Sequence, residues 1–463
     1  MNEDDQQEKA TAGVRTLLGN PRSAILKLSV PMIIAMSVQT VYNLVDAIWV
    51  SGLGADALAA IGFVFPFFFM AMGLSNGLGV GGGSAISRRI GAHDKAGADN
   101  VAVHTIILML LTAAAFTLPG FLFADELLIL IGAGQTAGMA AAYARIIFLG
   151  SILIFFTSVG NAFLRSEGDA KRAMYAMLLS AVLNIILDPI FIYTLDWGVE
   201  GAAVATVISM AVASLLILNW LVFRKDTYLS FSFRDFRFRW EIVRDILRTG
   251  LPAAVQHLSM AFTMLIMNLI IIMVAGTDGV AIYSVGWRVV TVATMPLVGI
   301  ATAVVSVCGA AYGAGLLDRA NTAQLYATKL GVLIEIPIAG ATFILAPWIA
   351  AVFTLSEAAA HIAPDLVIFL RIVTFFYPVV AFGMFSSALF QGTGKGMNAL
   401  IVTVLRTLIL TPLFAGLFAF TLGMGLEGIW WGMVTGNLIG SMAAFLWARL
   451  YLNGLMEEKG VAA

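Results

Sequence analysis

Apolar runs of spanning length recur twelve times along the chain. They lie near 24–53, 57–87, 101–123, 141–164, 172–195 and 198–224. After a polar stretch they resume near 246–275, 279–312, 325–353, 362–391, 397–421 and 426–452. Crossing a hydrocarbon layer by helix takes about 20 apolar residues. The pattern therefore predicts an all-α polytopic membrane protein with twelve transmembrane helices. The polar breaks between runs alternate in sign. Arg15/Arg22/Lys27, Arg88/Arg89/Lys95, Lys171/Arg172, Arg224/Lys225 through Arg248, Arg319/Lys329 and Lys395 are basic. Asp56, Asp125/Glu126, Asp196/Glu200, Asp278, Glu357/Asp365 and Glu427 mark the other side, with Arg145 and Arg288 as exceptions. The positive-inside rule places both termini in the cytoplasm, and an even number of spans requires them on one side.

The polar stretches also divide the chain. Residues 1–20 are polar, lack the apolar core of a signal peptide and predict a disordered cytoplasmic leader. Residues 21–224 form an amino-terminal lobe, 225–245 a cytoplasmic linker, 246–455 a carboxy-terminal lobe and 456–463 a cytoplasmic tail. In the linker, Arg234, Arg237 and Arg239 alternate with Phe231, Phe233, Phe236, Phe238 and Trp240. That pattern suits a segment lying on an anionic leaflet, or equally a structured loop with no lipid role.

The two lobes echo one another. Leu28-Ser29-Val30-Pro31 matches Thr249-Gly250-Leu251-Pro252. Gly91-Ala92 with Asp94-Lys95-Ala96 matches Gly313-Ala314 with Asp318-Arg319-Ala320. Leu187-Asp188-Pro189 matches Leu410-Thr411-Pro412, and Gly198-Val199-Glu200-Gly201 matches Gly425-Leu426-Glu427-Gly428. Echoes in the same order predict duplication into two pseudo-symmetric six-helix lobes. Parallel repeats of this kind form substrate sites at their interface near the midplane.

Composition narrows the class. Of 463 residues, 60% are hydrophobic and only 11% charged, against about 25% charged in soluble domains. The net charge of −1 leaves no basic footprint for nucleic acid. The single Cys308 excludes an internal disulfide. No His-Glu-x-x-His motif, phosphate loop or nucleophile–base pair is evident, so nothing points to an enzyme. The glycine-rich stretch from Gly73 to Ser84 is embedded in apolar sequence and reads as close helix packing.

Deep acids are few. Asp188 lies in the fifth run, and a carboxylate near a bilayer centre costs about 2.5–3.5 kcal/mol. Such a residue is a functional candidate by default, although Asp-Pro also suits a helix cap. Asn184 lies one turn before Asp188 on the same face. Asp46 lies in the first run, within a stripe of Gln39, Tyr42, Asn43 and Asp46 at helical spacing; Gln39 and Asn43 could equally be interhelical glue. The second half has Thr411 opposite Asp188 and uncharged Met267 and Asn268 at the depth of Asp46. An ion site in the first half follows. Two carboxylates in a dry pocket cannot easily both be ionised; the pair can take up a proton or hold a sodium ion with amide and hydroxyl oxygens. Pro31 and Pro189 are candidate flex points. Glu335, Arg371 and His257 are polar residues within runs whose roles the sequence leaves open.

Val41-Tyr42-Asn43-Leu44-Val45-Asp46, Gly79-Val80-Gly81 through Ala92, Leu183 through Pro189, and Gly198 through Thr206 together resemble the multidrug and toxic compound extrusion (MATE) family over almost the whole chain, most closely its MepA-like and DinF-like members. The resemblance implies two six-helix lobes forming a V, the MATE fold of the MOP superfamily. It implies export of organic cations or other amphipathic compounds in exchange for protons or sodium, by alternating access. Carried onto this sequence, the cation site is Asp46, Asn184, Asp188 and Thr206, with Tyr42 and Asn161 in the surrounding network and Pro31 at a proposed bend. The NorM-like alternative, with acids in the second lobe, finds no acid in the seventh span and Arg371 in the tenth. The reading is thus a monomeric plasma-membrane (inner-membrane) antiporter with no cofactor. Its partners are small amphipathic substrates and membrane lipids. The competing reading is a flippase for a lipid or lipid-linked precursor.

Overall fold

The computed structural model describes residues 11–224, 226–231, 236–355 and 357–458. Among these residues, twelve helices are long and apolar enough to cross a membrane and there is no strand. The protein is a multi-pass membrane protein. The first lobe consists of α1 (Pro21–Ser51), α2 (Ala55–Gly91), α3 (Lys95–Leu122), α4 (Ala137–Ser166), α5 (Ala170–Pro189) and α6 (Gly198–Leu218). One helical run, Trp240–Ala293, turns at Gly276 (φ 63°, ψ −150°) and so supplies both α7 (240–275) and the first part of α8, which continues as Met295–Gly313. Then follow α9 (Leu317–Phe353), α10 (Ala363–Gly392), α11 (Gly396–Thr421) and α12 (Gly425–Glu458).

Short polar side chains start several of these helices. Asn20 accepts from the backbone of Arg22 at 3.0 Å, with Pro21 at the first helical position. Asp94 accepts from Gly97 at 2.8 Å, and Asp169 from Arg172 at 3.1 Å. Each satisfies an amide that the first helical turn would leave unpaired.

The duplication is visible in the backbone. After Pro189 the helix widens into a π turn, Ile190–Thr194; the fifth span of the second lobe ends in one at Leu417–Thr421. Trp197 N donates to Phe191 O at 3.1 Å, and Met424 N to Phe418 O, also at 3.1 Å. Gly198 (φ 53°) and Gly425 (φ 62°) then turn the chain into α6 and α12. A side chain is strained there, which explains glycine at both echoed positions.

The lobes meet on the half of the molecule that carries the basic loops. Along α2, a Cβ on Gly77 or Gly81 would strike the backbone of Gly250 and Ile246 on α7. At Gly91 it would lie 1.9 Å from the Ala310 carbonyl on α8, and at Gly313 1.9 Å from that of Arg88. Away from this contact, α1 exposes Val41, Leu44 and Ile48, and α7 exposes Met260, Met264 and Leu265.

Three sequence boundaries need correction. Residues 11–20 are ordered, not a disordered leader: Thr11 caps a helix at Ala12–Leu17, Val14 and Leu17 are buried, and Leu18 O accepts from Arg319 Nη1 at 2.8 Å. Residues 240–245 belong to α7 and not to the linker, and 456–458 belong to α12 and not to the tail. The described linker docks on the first lobe. Tyr228 N and Leu229 N donate to Glu167 Oε2 at 2.9 and 3.2 Å, Ser230 N to Asp99 at 2.8 Å, and Arg239 N to His104 Nε2 at 3.0 Å. Phe236 and Phe238 pack beside the His104 ring. It is a structured connection, with Phe238 and Trp240 facing outward. Residues 1–10, Lys225, Phe233, Arg234 and 459–463 lie outside the described residues.

Candidate functional site

Four helices of the first lobe bring polar groups to one place. On α5, Asn184 and Asp188 stack one turn apart; Asn184 is 2% exposed and Asp188 0%. Asn184 Nδ2 donates to Thr206 Oγ1 on α6 at 3.3 Å, and Thr206 in turn donates to Ala202 O at 3.0 Å. The Asn184 carboxamide oxygen and both Asp188 carboxylate oxygens have no hydrogen-bond partner among the described residues. Asp46, half-buried on α1, is the acid that faces Asp188, near enough for the two to share a proton. Tyr42, one turn before Asp46, lies close to both acids and to Thr206. Tyr143 on α4 faces both acids from another side.

The ends of α1, α5 and α6 away from the basic loops are fixed to each other. Tyr193, in the π turn after α5, donates to the Trp49 carbonyl of α1 at 2.5 Å. Val50, Ile192 and Ala202 bury a small apolar cluster beside it. The position of Asp46 opposite Asp188 is thus set by packing.

No basic group among the described residues bears on the two acids. An unsatisfied buried polar atom costs about 1–3 kcal/mol, and more if charged. The cluster therefore gains from anything that supplies positive charge or a proton to its oxygens. Its donors are two carboxylates, an amide oxygen and hydroxyls, which suit a proton or a hard monovalent cation such as sodium. Among the described residues there is no group of three His, Cys, Asp or Glu side chains that could hold a metal ion.

The structure brings Asp46, Asn184, Asp188, Thr206 and Tyr42 together. Gln39 and Asn43 are separate: Gln39 Nε2 reaches Asn43 Oδ1 at 3.5 Å on the exposed side of α1. Asn161 is buried with an unpartnered Oδ1, but it lies 18 residues beyond Tyr143 on α4, about 27 Å further along the helix. Pro189 ends α5 directly beside Asp188, whereas Pro31 sits inside an uninterrupted α1. His257 and Asn76 meet across the lobes, Nε2 to Nδ2, at 2.6 Å, so His257 is a satisfied residue. Arg371 does not pair with Glu335; its guanidinium lies over the Phe343 ring at 5.4 Å.

Sequence reasoning missed Tyr143 and Arg406. Arg406 lies in a π turn of α11 (Leu405–Leu410) and its stem runs between Gly383 of α10 and Gly440 of α12. No carboxylate pairs with it among the described residues. Thr411, which stands where the first lobe has Asp188, donates to Arg406 O at 2.8 Å and accepts from Asn437 at 3.4 Å.

Comparison with known proteins gives a consistent picture. The MatE family model matches residues 31–190 and 252–417, one block in each lobe. The multidrug export protein MepA of Staphylococcus saprophyticus is 29% identical over 444 residues, covering 94% of this chain and 95% of that one. A multidrug resistance MATE family transporter of the MOP superfamily, solved in an outward-facing conformation, superposes with a TM-score of 0.94 at 47% identity, covering 97% of this chain and 99% of that one. A MOP superfamily transporter from Pyrococcus furiosus Vc1 superposes with a TM-score of 0.93 at 47% identity, covering 96% and 99%. It is described as having a binding pocket of reverse polarity that suggests a different function.

Proposed function

The chain belongs to the MatE family of membrane transporters, and on that premise we propose that it exports amphipathic compounds, organic cations among them, by antiport with protons or sodium. The observation that supports this most is the pair of Asp46 and Asp188, a half-buried acid facing a fully buried one with no base nearby. An entering proton or sodium ion neutralises the cluster, and its departure restores the repulsion. That gives the first lobe two electrostatic states, the requirement for biasing a bistable assembly. Thr206 and Asn184 hold and orient the acid. Tyr42 and Tyr143 supply hydroxyls at its rim. Pro189, next to Asp188, is the point where α5 responds, and Pro31 is the corresponding flex point of α1.

In this reading the basic loops and both termini face the cytoplasm, the protein works as a monomer in the plasma membrane, and substrate enters between the lobes. The exposed Gln39–Asn43 pair and Asn161 line that passage at other depths. Hydrophobic substrates reach it from surrounding lipid. No organic cofactor takes part. The test is efflux of an ethidium-like dye from a pump-deficient host. Wild-type protein raises the tolerated dose; Asp188→Asn abolishes the gain while the protein still reaches the membrane. Unchanged efflux by Asp188→Asn removes the coupling assignment. In proteoliposomes, a pH gradient without sodium suffices if protons couple.

Arg406 favours a second reading, movement of an anionic lipid or lipid-linked precursor. A guanidinium deep in the second lobe without a carboxylate suits a phosphate better than an organic cation. Accelerated flipping of a labelled anionic lipid in proteoliposomes, lost in Arg406→Gln, selects this reading over dye export.

A further inference from the structure

The second lobe contains its own buried acid, distant in sequence from the cluster described above. Glu335 on α9 is 0% exposed, and neither carboxylate oxygen has a hydrogen-bond partner among the described residues. Its neighbour across the helix interface is Tyr377 on α10, also 0% exposed, whose hydroxyl is likewise unpartnered. Thr342, seven residues after Glu335 and so on the same face of α9, brings its hydroxyl beside Tyr377. Gly331, one turn before Glu335, abuts Leu297 of α8 and Ala381 and Phe385 of α10, so α9 packs closely against both helices there.

The backbone opposite Glu335 is irregular. α10 is helical over Ala363–Val373, tightens to a 3-10 turn at Thr374–Phe376 and restarts at Tyr377, with Pro378 at its second position. Interrupted spanning helices are where transporters place ion sites. No base offsets the acid. Arg371 is exposed over Phe343, Arg288 on α8 and Lys329 on α9 are exposed, and among the described residues no charged group bears on Glu335.

We propose that Glu335, Tyr377 and Thr342 form a second exchangeable site for a monovalent cation, a proton or a sodium ion, in the carboxy-terminal lobe. An isolated carboxylate left charged in such surroundings is too costly to persist. A proton on Glu335 lets it donate to the Tyr377 hydroxyl. A sodium ion instead takes the carboxylate and both hydroxyls as hard oxygen ligands. Either occupant ties α9 to the restarted half of α10. The two lobes then each carry a cation site, built from different residues at different places in the repeat.

The test is infrared difference spectroscopy on purified full-length protein in an Asp46→Asn/Asp188→Asn/Glu167→Gln background, which also removes the other buried acid that titrates. This background separates the outcome from that of the first-lobe reading. The probes are a change of pH in sodium-free buffer and addition of sodium chloride at fixed pH. The expected result is loss of one protonated-carboxyl band per protein on at least one of these changes. That band is absent when Glu335→Gln is added, and Tyr377→Phe shifts its midpoint by about tenfold or more. A response to pH alone identifies a proton site, and a response to sodium identifies a sodium site. A band that responds to neither, or that survives Glu335→Gln, overturns the proposal. Should Glu335→Gln fail to fold, judged by elution and thermal unfolding, Tyr377→Phe decides the matter: an unmoved midpoint overturns it.

Discussion

Arg88, near the basic end of α2, reaches across the lobe boundary to Asp245 on α7 and forks onto both carboxylate oxygens, at 2.7 and 2.8 Å. The same guanidinium donates to Ser84 Oγ at 2.6 Å and to Gly392 O of α10 at 3.3 Å. One side chain thereby holds two helices of the second lobe against the first. The Arg88 side chain is 12% exposed and that of Asp245 38%. Partial exposure keeps such a pair to about 1 kcal/mol. Asp245→Asn is therefore expected to shift the balance between joined and parted lobes roughly fivefold toward parting. Pulsed electron resonance between spin labels on Ala92 and Leu316 reads the shift directly. An unchanged distance distribution means the pair has no weight in holding the lobes.

Gly91 and Gly313 cross at the same boundary, each against a carbonyl of the opposite lobe. A methyl group there cannot be accommodated by side-chain rotation. Gly91→Ala is expected to prevent the lobes from meeting at this end, with transport lost and expression retained. Gly62→Ala is the control, because a Cβ there meets nothing within 4 Å. It should be neutral or stabilising by up to about 1 kcal/mol, as expected for Gly→Ala in a helix.

Thr206→Val removes the hydroxyl that accepts from Asn184 Nδ2 while keeping the side-chain shape. The amide then stands buried without a partner, at an expected cost of about 1–3 kcal/mol. Thermal unfolding of the purified protein should show a drop of a few degrees, and Asn184→Leu combined with Thr206→Val should recover part of it.

Glu167, in the turn after α4 and outside the spans, is buried beneath the linker. Burial pushes its carboxyl up from 4.5 to about 8, against the opposing pull of the Leu229 and Tyr228 amides. The folded protein thus holds a proton that the unfolded chain releases. Its stabilising contribution is full below pH 4.5 and is lost as pH rises through about 8. The melting temperature of the wild type should fall across that window more steeply than that of Glu167→Gln, which keeps an oxygen for the linker amides. Parallel curves would remove Glu167 as the cause.

Much of the molecule can be read before it is seen. Twelve apolar runs leave no other way to satisfy the backbone in lipid than helices. Asp46 and Asp188 stand out because an acid in an apolar run is expensive. Tyr143 does not, since a tyrosine between alanines carries no such penalty, and only the packing of α4 against α2, α6 and the edge of α5 brings it to the acids. Helical spacing put Gln39, Asn43 and Asp46 on one stripe, yet the stripe is wider than the contact with α5, so its edge faces away. Arg406 was legible and overlooked: an arginine in the middle of the 397–421 run is as anomalous as an acid. The helix at Ala12–Leu17 was not legible, because six residues are too few to show a period and their order comes from docking.

The contact of Gly91 with the Ala310 carbonyl and of Gly313 with the Arg88 carbonyl has one more consequence. A plug made of side chains breathes as rotamers flip, and water files through the gaps. Here main chain rests on main chain, with nothing between to rotate. While the lobes are joined at that end, the crossing itself offers no rotamer-gated gap through which water could file.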